Sequence, residues 1–191
     1  SNTNRQIHAL EENFGKAKVE AMAERIRSIN PACVITCVED FLTPDNVSQL
    51  ISSNFNVVID AIDQVRAKTA LIAHCKRQGI PVIVGGAAGG QLDPTRITSC
   101  DLSQTTQDPL LAKVRSSLRR EFNFPRDKGK KFGVTAVFST EPLRYPDKGV
   151  ACETNAAPQG LNCAGFGSAV CVTSVFGMVA ASIAINRLAG I

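Results

Sequence analysis

The sequence predicts an α/β fold: a Rossmann-like, mostly parallel sheet flanked by helices, with an extra strand and helix towards the C-terminus. Three observations support this prediction. Short apolar runs alternate with stretches of helical periodicity through the first half of the chain. Acidic or glycine-rich segments follow two of those runs, where ligands bind in such sheets. A composition of 44% apolar and 20% charged residues is typical of a globular chain with a core.

The first predicted elements are two helices and a strand. Apolar residues recur at helical spacing over about 16–29, and Asn30-Pro31 ends that helix. The run CVITCV at 33–38 predicts a buried strand. Thr43, followed by a proline suited to the first turn, is a predicted N-cap for a helix over 43–52.

The central elements show the clearest alternation. VVID at 57–60 predicts a strand, 65–78 a helix ended by Gly79, and 81–84 another strand. That strand leads into GGAAGG at 85–90, which matches no phosphate-binding loop. We therefore expect these glycines to allow a close approach of two backbones.

The remaining elements follow less regularly, and all are expected to pack on the same domain. Asp108-Pro109 predicts the start of a basic helix ending near Glu121. In chain order we expect a strand at 95–100, that helix, a polar loop at 123–131, a strand at 133–140, a loop at 141–165 and a helix at 168–188. The predicted organisation is 1–100 for the remainder of the Rossmann-like domain and 101–191 for the C-terminal part.

The last predicted helix carries no charge between residues 167 and 186. Its Ser, Thr and Gly content favours a helix wholly buried in the core or in a dimer interface over a membrane span. The chain has seven Cys, an odd number with no CxxC pair, which argues against a secreted disulfide framework and a structural zinc site. We therefore expect a cytoplasmic protein with no membrane partner.

Basic residues concentrate in one stretch of the chain. Eight of them against two acidic residues give a charge of +6 between Lys113 and Lys131, so the rest of a +4 chain carries −2. A local excess of this kind indicates either a polyanion contact or a solvated helix face. The candidate residues for a contact with a nucleic acid are Lys113, Arg115, Arg119, Arg120, Lys128, Lys130 and Lys131.

Three motifs in order carry a resemblance to a known family. SNTNRQ, then GKAKVEAMAERIRSINP, then VVIDAID resemble the adenylating domain of the ubiquitin-activating-enzyme-like superfamily. GGAAGGQLDPTRI, QDPLLAKVRSSLRREF and VFSTEP are similar to one branch, the tRNA threonylcarbamoyladenosine dehydratases. The resemblance implies ATP-dependent adenylation of a carboxylate in tRNA followed by ring closure with loss of AMP. ATP and Mg²⁺ are the implied cofactors, with a monovalent cation as a further candidate.

The resemblance also implies roles for individual residues. Asn2, Arg5, Gln6 and Lys18 are expected to contact the nucleotide or its phosphates, and Asp63 the metal. These residue types suit the chemistry, because guanidinium and ammonium groups stabilise phosphate charge. Taken singly, Arg5 and Lys18 could be surface residues and Asp63 a helix cap.

Cys163, in the loop NCAGFGS, has two readings that remain open. The resemblance implies a thiol for covalent trapping or for sulfur transfer from a cysteine desulfurase system. A free Cys is otherwise most often a small packing residue. Cys152 is a second candidate thiol, and Cys171 is expected in the core of the last helix.

One departure from the family bears on function. Members of the family begin with a strand, a glycine-rich turn, a helix and a second strand before the SNTNRQ motif, with which this sequence opens. We therefore expect an exposed sheet edge or apolar face and a homodimer. The alternatives are adenylation of a ubiquitin-like sulfur carrier, a non-catalytic binding module and, more remotely, a nicotinamide dehydrogenase.

Overall fold

A computed structural model describes residues 2–127, 129–144 and 167–191. Lys128, Cys152 and Cys163 lie outside the described residues. The chain separates into two compact units, Ser1–Phe41 and Leu42–Ile191. The division at residue 100 expected from sequence is a different one, and it falls within a strand of the second unit.

The first unit is built around one amphipathic helix. Two 3₁₀ turns, Thr3–Arg5 and Glu11–Asn13, precede α1, Lys18–Ile29, which confirms the predicted helix. The prediction of a buried strand at 33–38 is wrong: the segment pairs with no described strand and is mostly exposed, with Val34 at 95% exposure. An apolar run becomes a strand only when another strand accepts its backbone hydrogen bonds, and no described strand does so.

The second unit contains a four-stranded sheet that confirms the predicted fold class. Its strands are β1 Val58–Asp60, β2 Val82–Gly85, β3 Ile97–Asp101 and β4 Thr135–Ser139. The order is β1-β2-β4-β3, with β3 antiparallel to β4 and the other pairings parallel. The helices are α2 Val47–Leu50, α3 Val65–Gln78, α4 Pro109–Glu121 and α5 Val170–Ala189.

The helix ends follow the signals in the sequence. Gly79 ends α3 with a φ of +70°, a conformation that glycine adopts without steric cost. The carboxylate of Asp108 caps α4 by accepting a hydrogen bond from the Leu111 N–H. The Thr43 hydroxyl accepts a hydrogen bond from the Asn46 N–H, but only one helical turn, α2, follows it. The helix predicted over 43–52 is therefore shorter than expected.

The two faces of the sheet are covered by different helices. Val82, Val84, Ala136 and Phe138 share one core cluster with residues of α3 and α4. The alternate strand residues Ile83 and Val137 pack with α5 instead. Because successive strand residues point to opposite faces, α5 lies on the face opposite α3 and α4.

Helix α5 is buried along one stripe only. Val172, Phe176, Ala180 and Ala184, spaced four residues apart, face the sheet. Within this chain the helix is not wholly buried, because Met178 is 72% exposed, and burial of its outer face in a dimer interface remains a prediction. The prediction that Cys171 lies in the core is wrong, because this residue is exposed. By length and composition alone α5 is apolar enough to cross a membrane, with 22% of its most apolar window buried.

Candidate active site

A buried ion pair lies at the carboxyl end of β1. Asp60 ends the strand, and its Oδ2 accepts a hydrogen bond from Lys68 Nζ at 2.8 Å. Both side chains are 0% exposed. Asp60 Oδ1 accepts a second hydrogen bond, from the Ile62 N–H at 2.9 Å. One carboxylate therefore holds both the first residues of the β1–α3 loop and the second turn of α3.

The charges of this pair depend on each other. Burial raises the pKa of Asp60, and the ammonium of Lys68 opposes that shift. Burial lowers the pKa of Lys68, and Asp60, then Asp108 and Asp63, oppose it. Three carboxylates are thus near enough to this ammonium to favour its charged form. Removing the ammonium would leave Asp60 buried without a counter-charge.

Asp108 joins the glycine loop after β2 to the start of α4. Its Oδ2 accepts a hydrogen bond from the Ala87 N–H at 2.9 Å while its Oδ1 caps the helix. Burial raises the pKa of Asp108, and the N–H groups of Leu111 and Ala87 oppose the shift. A Cβ on Gly86 would lie 2.1 Å from Asp108 Oδ2, so only glycine fits. The expected close approach of two backbones is found one residue earlier, because a Cβ on Gly85 would lie 3.3 Å from the backbone carbonyl oxygen of Asp60. Asp60, Lys68 and Asp108 are called the strand-end cluster below.

Asp63 is exposed in the loop between β1 and α3. The N-cap position of α3 is Gln64, so Asp63 does not take the capping position. Its carboxylate raises the pKa of Lys68, which places it near the strand-end cluster. No group of three or more His, Cys, Asp or Glu side chains suited to a metal occurs in the described parts of the chain.

The candidate nucleotide residues of the first unit lie near its start and at the beginning of α1. Arg5 Nη2 donates a hydrogen bond to Asn2 Oδ1 at 2.7 Å, so two of the predicted residues are in direct contact. Gln6 follows them and is half-buried, and Lys18 is the exposed first residue of α1. The convergence of Arg5, Lys18 and Asp63 on one nucleotide remains a prediction.

The predicted tRNA-binding residues fall into two groups. Arg115 and Arg119 are half-buried on α4 and bonded to neighbouring groups. The exposed members are Lys113, Arg120, Lys130 and Lys131. Arg115 and Arg119 are therefore tied to neighbouring groups, and the choice between a polyanion contact and a solvated helix face remains open.

Sequence reasoning missed Lys68 and treated Asp108 only as a helix start. A lysine in the second turn of an otherwise apolar helix face, after a strand that ends in Asp, was the available signal for Lys68. Asp108 offered only a capping signal, because its contact with Ala87 joins segments that are distant in the chain.

Three comparisons with known proteins bear on this site. The chain matches the ThiF family over residues 1–191. It is 53% identical to the tRNA threonylcarbamoyladenosine dehydratase of Escherichia coli strain K12, over 98% of this chain and 72% of that protein. It is 49% identical to the enzyme of that name from Haemophilus influenzae, over 98% of this chain and 71% of the relative.

A solved structure extends the similarity to three dimensions. The crystal structure of the E. coli tRNA N6-threonylcarbamoyladenosine dehydratase in complex with ATP superposes with a TM-score of 0.86 at 51% identity. The match covers 99% of this chain and 70% of that one. The match therefore spans both units.

Proposed function

Since the chain belongs to the ThiF family, and within it to the tRNA threonylcarbamoyladenosine dehydratases, we propose that it catalyses the ATP-dependent dehydration of threonylcarbamoyladenosine in tRNA. The observation that carries this proposal is the near-complete match, in sequence and in fold, to a dehydratase whose crystal structure holds ATP. The alternative, adenylation of a ubiquitin-like sulfur carrier, is not supported by a match that covers as much of the chain.

The proposed reaction has two steps. A carboxylate oxygen of the threonylcarbamoyl group attacks the α-phosphorus of ATP, and pyrophosphate leaves. A nucleophilic atom of the carbamoyl group then attacks the acyl carbon, AMP leaves and one proton is released. The net change is the loss of one water from the modified nucleoside, with ATP converted to AMP and pyrophosphate.

Arg5 and Lys18 are the proposed phosphate ligands, with Asn2 and Gln6 contacting the nucleotide. The Asn2–Arg5 hydrogen bond supports a shared role, because it orients the guanidinium. A planar guanidinium and a flexible ammonium stabilise the charge that grows on the α-phosphate and on the departing pyrophosphate.

Asp63 is the proposed protein ligand for Mg²⁺. The donor set fits this ion, since Mg²⁺ bound with a nucleotide takes one or two carboxylates and fills its other positions with phosphate oxygens and water. The exposed Asp63, without a metal-binding cluster among the described residues, matches that arrangement. When bound, the ion would neutralise phosphate charge. A monovalent cation is a further proposal that rests on the family alone.

We place tRNA on the basic surface of α4 and the loop after it. The exposed Lys113, Arg120, Lys130 and Lys131 support this placement. Lys128 belongs to the same predicted set. Contacts with phosphates should make binding fall steeply with salt concentration.

A homodimer and a cytoplasmic location complete the proposal. The outward face of α5 supports the dimer, with Met178 at 72%, Ile185 at 63% and Leu188 at 58% exposure. The described cysteines are all free thiols, which fits a reducing compartment. Cys163 as a thiol that receives sulfur from a cysteine desulfurase system remains a proposal from resemblance.

The function is tested by offering two carboxylate substrates separately to the full chain. We expect ATP–pyrophosphate exchange with tRNA bearing threonylcarbamoyladenosine, and mass spectrometry of the digested tRNA should show loss of one water. Exchange with a ubiquitin-like carrier protein alone would instead favour the alternative. ATP binding by calorimetry without turnover of either substrate would favour a binding module.

A further inference from the structure

A pocket of about 270 Å³ opens beside α4 and is lined by four arginines. Arg115, Arg119 and Arg120 come from the helix, and Arg126 from the loop that follows it. The other lining residues are Ala112 and Ser116, so none of the described carboxylates lines this pocket. We call it the arginine pocket.

Uncharged groups hold the two inner arginines. Arg115 donates a hydrogen bond to the hydroxyl of Thr105, which is buried. Arg119 donates from Nε to the Pro125 carbonyl at 3.1 Å, and its guanidinium lies 5.2 Å from the centre of the Phe132 ring. These contacts fix both side chains without neutralising them, so their positive charge remains available to an anion.

The inner arginines are close enough to affect each other. Burial lowers the pKa of Arg115 and the neighbouring Arg119 lowers it further, while the carboxylate of Asp108 opposes the shift. Like charges held together in this way are costly unless an anion is bound between them. Arg120 differs from the two inner arginines, because its side chain is exposed and pairs with Glu121 at 2.5 Å.

The loop that carries Arg126 is attached to the protein on both sides. On one side the Phe124 N–H donates to the Leu118 carbonyl at 3.2 Å, and Phe124 stacks edge-on against Phe132 at 5.1 Å. On the other side Asp101 accepts a hydrogen bond from the Phe132 N–H at 2.9 Å. The position of Arg126 at the rim of the pocket is therefore built into the fold.

We propose that the arginine pocket binds one backbone phosphate of the tRNA and thereby sets the register of the RNA on α4. A phosphodiester fits because guanidinium groups match phosphate oxygens with paired hydrogen bonds. The exposed lysines along the same surface, Lys113, Lys130 and Lys131, would reach neighbouring phosphates of a polymer. The inference rests on the proposed function and adds Arg126, which the sequence did not single out.

The test uses two variants of Arg126 in the full chain, one that removes the positive charge and one that keeps the charge but changes the shape of the side chain. Binding of the substrate tRNA is measured by fluorescence anisotropy without ATP, as a function of salt concentration. Arg126→Gln should weaken binding roughly ten-fold and reduce the salt slope by about one unit. Arg126→Lys should keep the slope and still weaken binding about five-fold, because the ammonium lacks the planar fork.

The matched control is Arg187→Gln in the last turn of α5, on the other face of the sheet. It makes the same change in net charge and should alter affinity less than two-fold. If both Arg126 variants bind tRNA as this control does, the proposal is overturned.

Inorganic phosphate provides a second readout: it should shift the arginine Nε–H resonances of the pocket. If phosphate shifts these resonances but both Arg126 variants bind tRNA normally, the pocket is a site for free phosphate only. That result also overturns the proposal.

These outcomes are separable from a failure of the proposed function. Pyrophosphate exchange by the parent chain at saturating tRNA reports on adenylation, and in the same assay Arg126→Gln should raise the KM for tRNA. A chain that binds tRNA through Arg126 but fails to exchange pyrophosphate would refute the dehydratase assignment and leave the pocket intact. Active enzyme with an unchanged KM in Arg126→Gln and Arg126→Lys would refute the pocket alone.

Discussion

The strand-end cluster and the arginine pocket both gather charged side chains, but they balance the charge in different ways. In the strand-end cluster the ammonium of Lys68 meets carboxylates, and both members of its ion pair are fully buried. In the arginine pocket the guanidinium groups of Arg115 and Arg119 meet a hydroxyl, a carbonyl and an aromatic ring beside open solvent, while the exposed Arg120 pairs with Glu121. Charge that is balanced internally holds the fold together, while charge left unbalanced is available to a ligand.

The largest expected effect comes from removing Lys68. Lys68→Met leaves Asp60 buried without its counter-charge, and we expect the free energy of unfolding to fall by about 3–5 kcal/mol. Denaturant unfolding measures this change. The control is Lys16→Met, which breaks the exposed Lys16–Glu24 pair at 2.9 Å. That change should cost less than about 1 kcal/mol. Equal losses in the two variants would contradict the difference drawn between buried and exposed charge.

The next largest effect is expected at Gly86, in the glycine loop that contacts Asp108 of the strand-end cluster. Gly86→Ala would place a methyl group 2.1 Å from Asp108 Oδ2, and we expect it to destabilise the protein by about 1–3 kcal/mol. Thermal unfolding checks it. Gly177→Ala in α5 is the matched control, because nothing lies within 4 Å of its Cβ position. Alanine there should stabilise the helix by about 0.5–1 kcal/mol. The same sign in both variants would show that the loop has room to relax.

A smaller effect concerns Asp101, which holds the start of β4 next to the arginine-bearing loop. Its carboxylate accepts hydrogen bonds from the Ser103, Phe132 and Gly133 N–H groups at 2.9, 2.9 and 2.7 Å. Burial alone would raise the pKa of Asp101, but these hydrogen bonds outweigh it and lower the pKa. Asp101→Asn should cost about 1–2 kcal/mol at neutral pH.

The sign of the Asp101 shift also predicts a pH dependence. A carboxyl whose pKa is lower in the folded state stabilises the protein above the unfolded pKa of about 3.9. That contribution is lost as the pH falls through the folded value. Unfolding free energies from pH 7 down to pH 2 should therefore decline more steeply in the parent chain than in Asp101→Asn. Parallel curves would mean that Asp101 is not the titrating group.

Much of the fold could be predicted from the sequence because its signals are local. The bounds of α3 follow from helical periodicity and from Gly79. Glycine adopts the left-handed conformation at the end of the helix without steric cost. The start of α4 follows from a capping Asp and a proline. The wrong prediction at 33–38 came from reading an apolar run as a strand, since nothing in the run itself states whether a partner strand is present.

The site divides in the same way. Motifs by themselves predicted roles for Arg5, Lys18 and Asp63, because a resemblance in order and spacing needs no coordinates, and the charge distribution along the chain singled out the basic stretch. Only the tertiary structure decided that Lys68 is buried against Asp60, that Asp108 excludes a side chain at Gly86, and that Arg126 joins the arginine pocket. The physical reason is that burial and charge pairing depend on contacts between segments distant in the chain. Residue type and spacing along the chain do not encode those contacts.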